Sequence, residues 1–118
     1  MGKLKTNHLD PSDHVLDRIS KVIKIRSKAD PKISYVARKL ARGRLKCAEK
    51  FGEEAVETII AAVGQDRQEL IDESADVLFH LLVLWQVCDI KPKEVWKELE
   101  AREGISGLDE KAARSSGK

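Results

Sequence analysis

The sequence predicts an all-α fold, built as an antiparallel bundle of about four to five helices. Apolar residues recur at helical spacing along most of the chain, and no segment shows the strict alternation of apolar and polar residues that marks a strand. The connections between the helical segments are short, which favours antiparallel neighbours. At 118 residues the chain is long enough for one domain with its own core.

The first helix is expected to begin at Asp10 and Pro11 and to fade near Lys28. Aspartate is a good N-cap residue, and proline is favoured at the first helical position because the missing N–H has no partner there anyway. The apolar positions that follow repeat at helical spacing and predict one buried face: Val15, Leu16, Ile19, Val22 and Ile23.

A short helix and a long helix are predicted next. Ser34 is expected to cap the short helix, which runs through Leu40, and Gly43 then breaks the chain. The long helix is expected over residues 44–63, with Gly64 as its stop.

Two further helices complete the prediction. Asp66, followed by Glu69 three residues later, has the pattern of a capping box and opens a helix over about residues 67–89. Pro92 opens the last helix and Gly104 stops it. The remaining segment has turn residues and charges but little periodicity, so we expect it to lie over the body or to fray.

The two long helices bring four carboxylates to one level if they form a hairpin. Residues equidistant from the turn lie side by side, and we take Gln65 as its midpoint. Glu57 and Glu73 each lie eight residues from Gln65, and Glu54 and Asp76 each lie eleven residues from it. Because a spacing of three residues keeps both members of each pair on one helix face, all four side chains can converge in one layer.

Such a layer needs compensation of its charge. The second of the two long helices is largely apolar, and its polar residues fall in one narrow stripe: Glu69, Glu73, Asp76 and His80. Because the rest of this helix is expected to be covered, we expect the stripe to face a cleft. Two carboxylates ~4 Å apart repel by ~4 kcal/mol at an effective dielectric near 20, so they require protons, basic partners or metal ions. Oxygen ligands in this number suit magnesium, which also binds phosphates.

Other interpretations remain open for the same residues. The glutamates of the first arm can instead form a solvated face paired with Lys46 and Lys50, as is common on helices. His80 can bond to a ligand carboxylate or to substrate, or it can be a histidine at the edge of the core. A di-iron site is excluded because no glutamate has a histidine three residues later.

Composition excludes several classes of function. The 22 basic and 20 acidic residues nearly cancel, and the aromatic residues are too few for a row of base-stacking side chains, so nucleic-acid binding is not expected. The apolar runs are too short to span a membrane, and a soluble, cytoplasmic protein is expected. Cys47 and Cys88 lack metal-ligand spacing and are expected to be ordinary packed thiols.

Several segments resemble the phosphoribosyl-ATP pyrophosphatase family, which belongs to the all-α nucleoside triphosphate pyrophosphatases. The segments are "KFGEEAVETIIAA", "DRQELIDESADVLFHLLVLW", "SYVARKLARG" and "GISGLDEKAAR". The resemblance covers about residues 15–114, which implies a domain over residues 11–114 between an N-terminal extension (1–10) and a tail (115–118). The family's signature of Glu-Glu-x-x-Glu followed by Glu-x-x-Asp is present.

The resemblance implies a magnesium-dependent hydrolysis of 1-(5-phosphoribosyl)-ATP to 1-(5-phosphoribosyl)-AMP and pyrophosphate, the second step of histidine biosynthesis. It also implies a homodimer or higher homo-oligomer. The implied magnesium ligands are the four residues that the spacing selects, and Glu53 is implied as the catalytic, water-activating position. Lys50 and Arg38 are implied to contact substrate phosphates, although an ion pair with Glu54 is an equal alternative for Lys50.

Two rival functions are compatible with the acidic pattern. A related pyrophosphatase acting on dUTP or damaged nucleotides would share the metal layer and differ in its base pocket. A metal-free helical interaction module would use the acidic faces only for solubility. Three segments that metal binding does not require favour the phosphoribosyl-ATP activity: "SYVARKLARG", "GISGLDEKAAR" and "FHLLVL".

Overall fold

The computed structural model describes residues 13–104 and Arg114, and residues 13–104 contain five α-helices and no strand. The prediction of an all-α fold is therefore confirmed. The helices are α1 (Val15–Arg26), α2 (Tyr35–Ala41), α3 (Arg44–Val63), α4 (Arg67–Val87) and α5 (Pro92–Arg102).

Most helix boundaries follow from the capping residues that the sequence indicated. The Ser34 hydroxyl accepts a hydrogen bond from the backbone N–H of Ala37 at 3.2 Å, and the Asp66 carboxylate accepts one from the N–H of Glu69 at 3.0 Å. Each bond satisfies an N–H that has no partner within its helix. Gly43, at φ 90°, makes the turn between α2 and α3 in a conformation that favours glycine.

The predicted start of the first helix was wrong. Asp13 and His14 are not helical, and α1 begins at Val15. His14 is the N-cap residue, because its Nδ1 accepts a hydrogen bond from the N–H of Leu16 at 3.1 Å. Asp10 and Pro11, on which the prediction depended, lie outside the described residues, as does the segment after Gly104 apart from Arg114.

Helices α3 and α4 form the predicted antiparallel hairpin and make the most extensive contact between any two described helices. Gln65, at φ 59°, lies in the tight turn between them. Helix α1 packs on α4, and α2 packs against α1, α3 and α4. The hairpin is thus covered on one side by the two shorter helices.

The core lies between α1, α2 and the hairpin. Its buried members come from four helices: Ile23, Val36, Cys47, Phe79, Leu82 and Val83. Burying one such large aliphatic or aromatic side chain is worth about 1.5–3 kcal/mol. Cys47 is a free thiol that packs within this core, and Cys88 is free and half-buried. Burial raises the pKa of the Cys47 thiol, as suits a packing role.

Helix α5 is attached through Trp96. The indole N–H of Trp96 donates a hydrogen bond to Asp17 Oδ1 at 2.8 Å, and its ring meets that of Trp85 edge-on with centroids 5.7 Å apart. These contacts join the last described helix to α1 and α4. None of the helices in the described part of the chain is long and apolar enough to cross a membrane.

One face of α3 carries apolar side chains that the other described residues leave exposed. We call it the apolar stripe: Val56, Ile59, Ile60 and Val63. These residues are 54–78 % exposed and follow the i, i+3, i+4, i+7 spacing of a single helix face. Ile71 and Leu78 of α4 are also largely exposed.

Candidate active site

Three glutamates of the hairpin converge at one level. Glu54 and Glu57 of α3 and Glu73 of α4 each offer a carboxylate oxygen, and these oxygens lie within 4.8 Å of one another. We call these three residues the acidic cluster. Glu54 is buried, Glu73 is half-buried and Glu57 is exposed, so the cluster opens to solvent at one side. This arrangement agrees with the level at which counting from the turn placed them.

The fourth predicted ligand lies close by. Asp76 follows Glu73 by one turn of α4 and is half-buried, but it is not part of the 4.8 Å group. Its charge acts on the pKa of His80, which places Asp76 on the same side of α4 as that histidine. Glu53 is exposed and also lies outside the group.

Lys50 compensates part of the negative charge. Its ammonium lies 3.1 Å from Glu54 Oε1 and 3.7 Å from Glu53 Oε2, so the predicted ion pair to Glu54 is present. Burial by itself raises the pKa of the Glu54 carboxyl, but the hydrogen bond and charge of Lys50 outweigh it and hold this pKa below its ordinary value. The same hydrogen bond raises the pKa of Lys50. Glu54 is therefore an anion held by a cation.

Glu73 lacks such a partner. Its Oε2 atom is buried and has no hydrogen-bond partner among the described residues. Burial, followed by the hydrogen bond and charge of Glu57 and then the charge of Glu54, raises the pKa of the Glu73 carboxyl to about 7. An orphaned buried oxygen beside two further carboxylates is the donor set that a hard divalent cation prefers. The residues therefore fit a magnesium ion.

The raised pKa of Glu73 predicts a pH-dependent stability in the absence of metal. Between the ordinary pKa of 4.5 and about 7, the folded state keeps a proton that the unfolded chain has released. The free energy of unfolding should therefore decrease as pH rises through this window and level off above it. Urea unfolding in a chelator at pH 5 and pH 8 should show this decrease in the parent and a smaller one in Glu73→Gln.

The comparison of the parent with Glu73→Gln can also contradict the raised pKa of Glu73. Glutamine keeps the shape of the side chain and removes its titration, so the two proteins share every other titrating group. If the free energy of unfolding depends on pH equally in the parent and the variant, the pKa of Glu73 is not raised by its neighbours.

Thr58, which was not among the predicted site residues, holds the two arms of the cluster together. Its hydroxyl hydrogen is shared between the backbone carbonyl of Glu54 at 2.8 Å and, across the hairpin, that of Glu73 at 3.2 Å. One side chain thus fixes the relative height of the two helices where the glutamates meet. Its position one turn after Glu54 was a signal, because a spacing of four residues places both side chains on the same face of α3.

A cavity of about 570 Å³ lies beside the acidic cluster. Residues of α2, the joint at Gly43, α3 and α4 form its wall: Lys39, Arg42, Lys46, Cys47, Glu49, Lys50, Glu53, His80 and Val83. We call it the basic cavity. His80, which the sequence predicted to contact substrate, is buried in this wall, and burial lowers the pKa of its imidazole. Lys50 and Glu53 border both the cavity and the cluster.

Arg38 does not line the basic cavity. It is exposed on α2, and its Nε donates to the backbone carbonyl of Pro31 at 3.2 Å. The wall of the cavity instead includes Lys39, Arg42 and Lys46. The sequence indicated Lys46 only as an ion-pair partner of the glutamates and did not indicate the other two. Their signal was a basic residue every three or four positions on both sides of Gly43: Lys39, Arg42, Lys46 and Lys50.

Comparison with known proteins assigns the arrangement to a family. Residues 16–103 match the model of the family described as phosphoribosyl-ATP pyrophosphohydrolase. A protein of Granulibacter bethesdensis named phosphoribosyl-ATP pyrophosphatase is 55 % identical over 109 residues, covering 91 % of this chain and 68 % of its own. Proteins with the same name from Paramagnetospirillum magneticum and Dinoroseobacter shibae are 52 % and 57 % identical, and the matches cover 93 % and 98 % of their lengths.

Proposed function

Because the chain belongs to the phosphoribosyl-ATP pyrophosphohydrolase family, we propose that its acidic cluster is the centre at which phosphoribosyl-ATP is hydrolysed to phosphoribosyl-AMP and pyrophosphate with magnesium as cofactor. The observation that carries the proposal is the convergence of three carboxylates around the unpartnered Glu73 Oε2. The activity belongs to the second step of histidine biosynthesis.

We assign the metal-binding role to the acidic cluster together with Asp76. Bound there, magnesium supplies positive charge that offsets the charge building on the triphosphate as the bond between its α and β phosphates breaks. The protein's part is to hold the carboxylates at fixed positions. Thr58 does this across the hairpin, and the ion pair with Lys50 keeps Glu54 deprotonated and oriented.

The proton balance requires a base near the cluster. Hydrolysis adds one water across the phosphoanhydride, so a proton leaves that water as the pyrophosphate is released. Glu53 is exposed, borders the cavity and lies 3.7 Å from Lys50, and it is the proposed acceptor of this proton. Lys50 and His80, at the edge between cavity and cluster, are proposed to bind substrate oxygens.

The proposed activity is tested by pyrophosphate release. With magnesium present, the purified chain should release pyrophosphate from phosphoribosyl-ATP at least ~10-fold more efficiently, in kcat/KM, than from dUTP, and a chelator should abolish the release. Equal or faster hydrolysis of dUTP would assign the chain to a different nucleotide. Release of no pyrophosphate from either substrate would favour a metal-free interaction module.

The apolar stripe supports a homodimer as the working assembly. Its residues are more than half exposed, whereas residues 79–87 of the other long helix, α4, are all buried or half-buried. A helix of 20 residues is ~30 Å long, so two antiparallel copies of α3 provide a continuous self-complementary contact. We propose that a second copy covers this stripe and the neighbouring Ile71 and Leu78. Glu54 lies on the opposite side of α3 from the stripe, whereas Glu57 lies one turn before Ile60 and borders it.

A further inference from the structure

The basic cavity contains more positive than negative charge. Among the described residues, four cationic side chains and two carboxylates line it. Lys46 is paired with Glu49 at 3.2 Å, and Lys50 is paired with Glu53 and Glu54. The positive excess therefore lies on the two remaining cations, Lys39 and Arg42.

These two cations are available to a ligand. The Lys39 ammonium lies 5.1 Å from the centre of the Tyr35 ring and forms no ion pair with a described residue. Arg42 is exposed, and within residues 13–104 its guanidinium has neither a hydrogen-bond nor an ion-pair partner. It is the C-cap residue of α2 and precedes Gly43, so its backbone is fixed at the joint between two helices.

The proposed substrate has two separate anionic ends. The triphosphate end needs divalent cations and belongs at the acidic cluster. The 5-phosphate of the phosphoribosyl group is a dianion that carboxylates would repel, so it needs a basic site at a distance from them. None of the three cluster glutamates lines the basic cavity, yet Lys50 and Glu53 adjoin both sites. One substrate molecule can therefore reach from one site to the other.

We propose that Arg42, assisted by Lys39, binds the 5-phosphate of the phosphoribosyl group and thereby distinguishes the substrate from nucleoside triphosphates that lack this group. The proposal rests on the function proposed above and assigns a specificity role to residues outside the acidic cluster. Arginine suits this role because its planar guanidinium donates two parallel hydrogen bonds to one phosphate.

Arg42→Gln tests the assignment, and the exposed position of Arg42 means that the variant should fold normally. The KM for phosphoribosyl-ATP should rise ~10- to 100-fold, with kcat changed by less than ~3-fold, because the lost bonds hold substrate and transition state alike. Competitive inhibition by ribose 5-phosphate should weaken by a similar factor, whereas inhibition by pyrophosphate should not change. Arg42→Lys should restore part of the loss. Arg44→Gln removes the same charge two residues away, outside the cavity wall, and should behave as the parent.

The contrary outcomes separate this assignment from the proposed function. If the KM of Arg42→Gln equals that of the parent, Arg42 does not contact substrate. If pyrophosphate inhibition weakens together with substrate binding, the cavity holds the leaving group and the 5-phosphate assignment is wrong. A parent protein that releases no pyrophosphate from phosphoribosyl-ATP would overturn the function itself, whatever Arg42 does.

Discussion

Replacing Glu57 or Glu73 by glutamine is expected to reduce pyrophosphate release by on the order of 10³-fold, equivalent to ~4 kcal/mol of lost transition-state stabilisation. Glutamine has nearly the same shape but lacks the negative charge that the cluster needs to hold a divalent cation. Both side chains belong to the group within 4.8 Å, and Glu73 carries the unpartnered oxygen. The apparent affinity for magnesium, measured from the dependence of rate on its concentration, should decrease in both variants.

The stability of the same variants separates a metal-binding role from a structural one. A structural carboxylate would lower the free energy of unfolding when removed, whereas loss of one of three repelling charges should leave it unchanged or increase it in a chelator at pH 8. Asp72→Asn is the matched control, because Asp72 precedes Glu73 on α4 and is exposed outside the cluster. Parent-like activity in Glu57→Gln and Glu73→Gln would end the metal assignment.

Ile60→Glu is expected to convert the proposed dimer into a monomer. Burying an isoleucine side chain is worth about 1.5–3 kcal/mol, and a two-fold interface contains the residue twice. The loss therefore amounts to about 3–6 kcal/mol, which weakens association by ~10² to 10⁴-fold. Sedimentation at several protein concentrations should show a dimer for the parent and a monomer for the variant.

Ile25→Glu is a closely matched control for Ile60→Glu. Ile25 on α1 and Ile60 on α3 are both 62 % exposed, but only Ile60 belongs to the apolar stripe. Ile25→Glu should therefore remain a dimer and unfold at the parent's urea concentration. A monomeric parent, or a dimeric Ile60→Glu, would show that a second copy does not cover the stripe.

Local signals explain which parts of the fold were predictable. Helix α3 begins and ends where the sequence indicated, because Gly43 and Gly64 flank a long periodic segment. The acidic cluster was predictable because a tight turn fixes which residues of two antiparallel helices lie side by side. Only the turn and the helical period were needed to bring Glu57 and Glu73 together.

The features that were missed depend on tertiary packing. Helix α2 has only seven residues, and its rotation about its own axis is set by α1, α3 and α4. That rotation directs Arg38 to Pro31 and leaves Arg42 in the cavity wall. The exposure of the apolar stripe was not predicted either, because the apolar residues of an exposed helix face recur at the same spacing as those of a buried face.

The turn at Gln65 has a consequence for how the protein is organised along its length. The cluster glutamates come from a single contiguous hairpin, whereas the two unpaired cations of the basic cavity, Lys39 and Arg42, come from the segment just before it. If both proposals hold, bond cleavage and recognition of the substrate's far end are encoded in consecutive stretches of the polypeptide. Substitutions in α2 and at its joint to α3 can therefore change the selectivity among nucleotides without altering the acidic cluster of the hairpin.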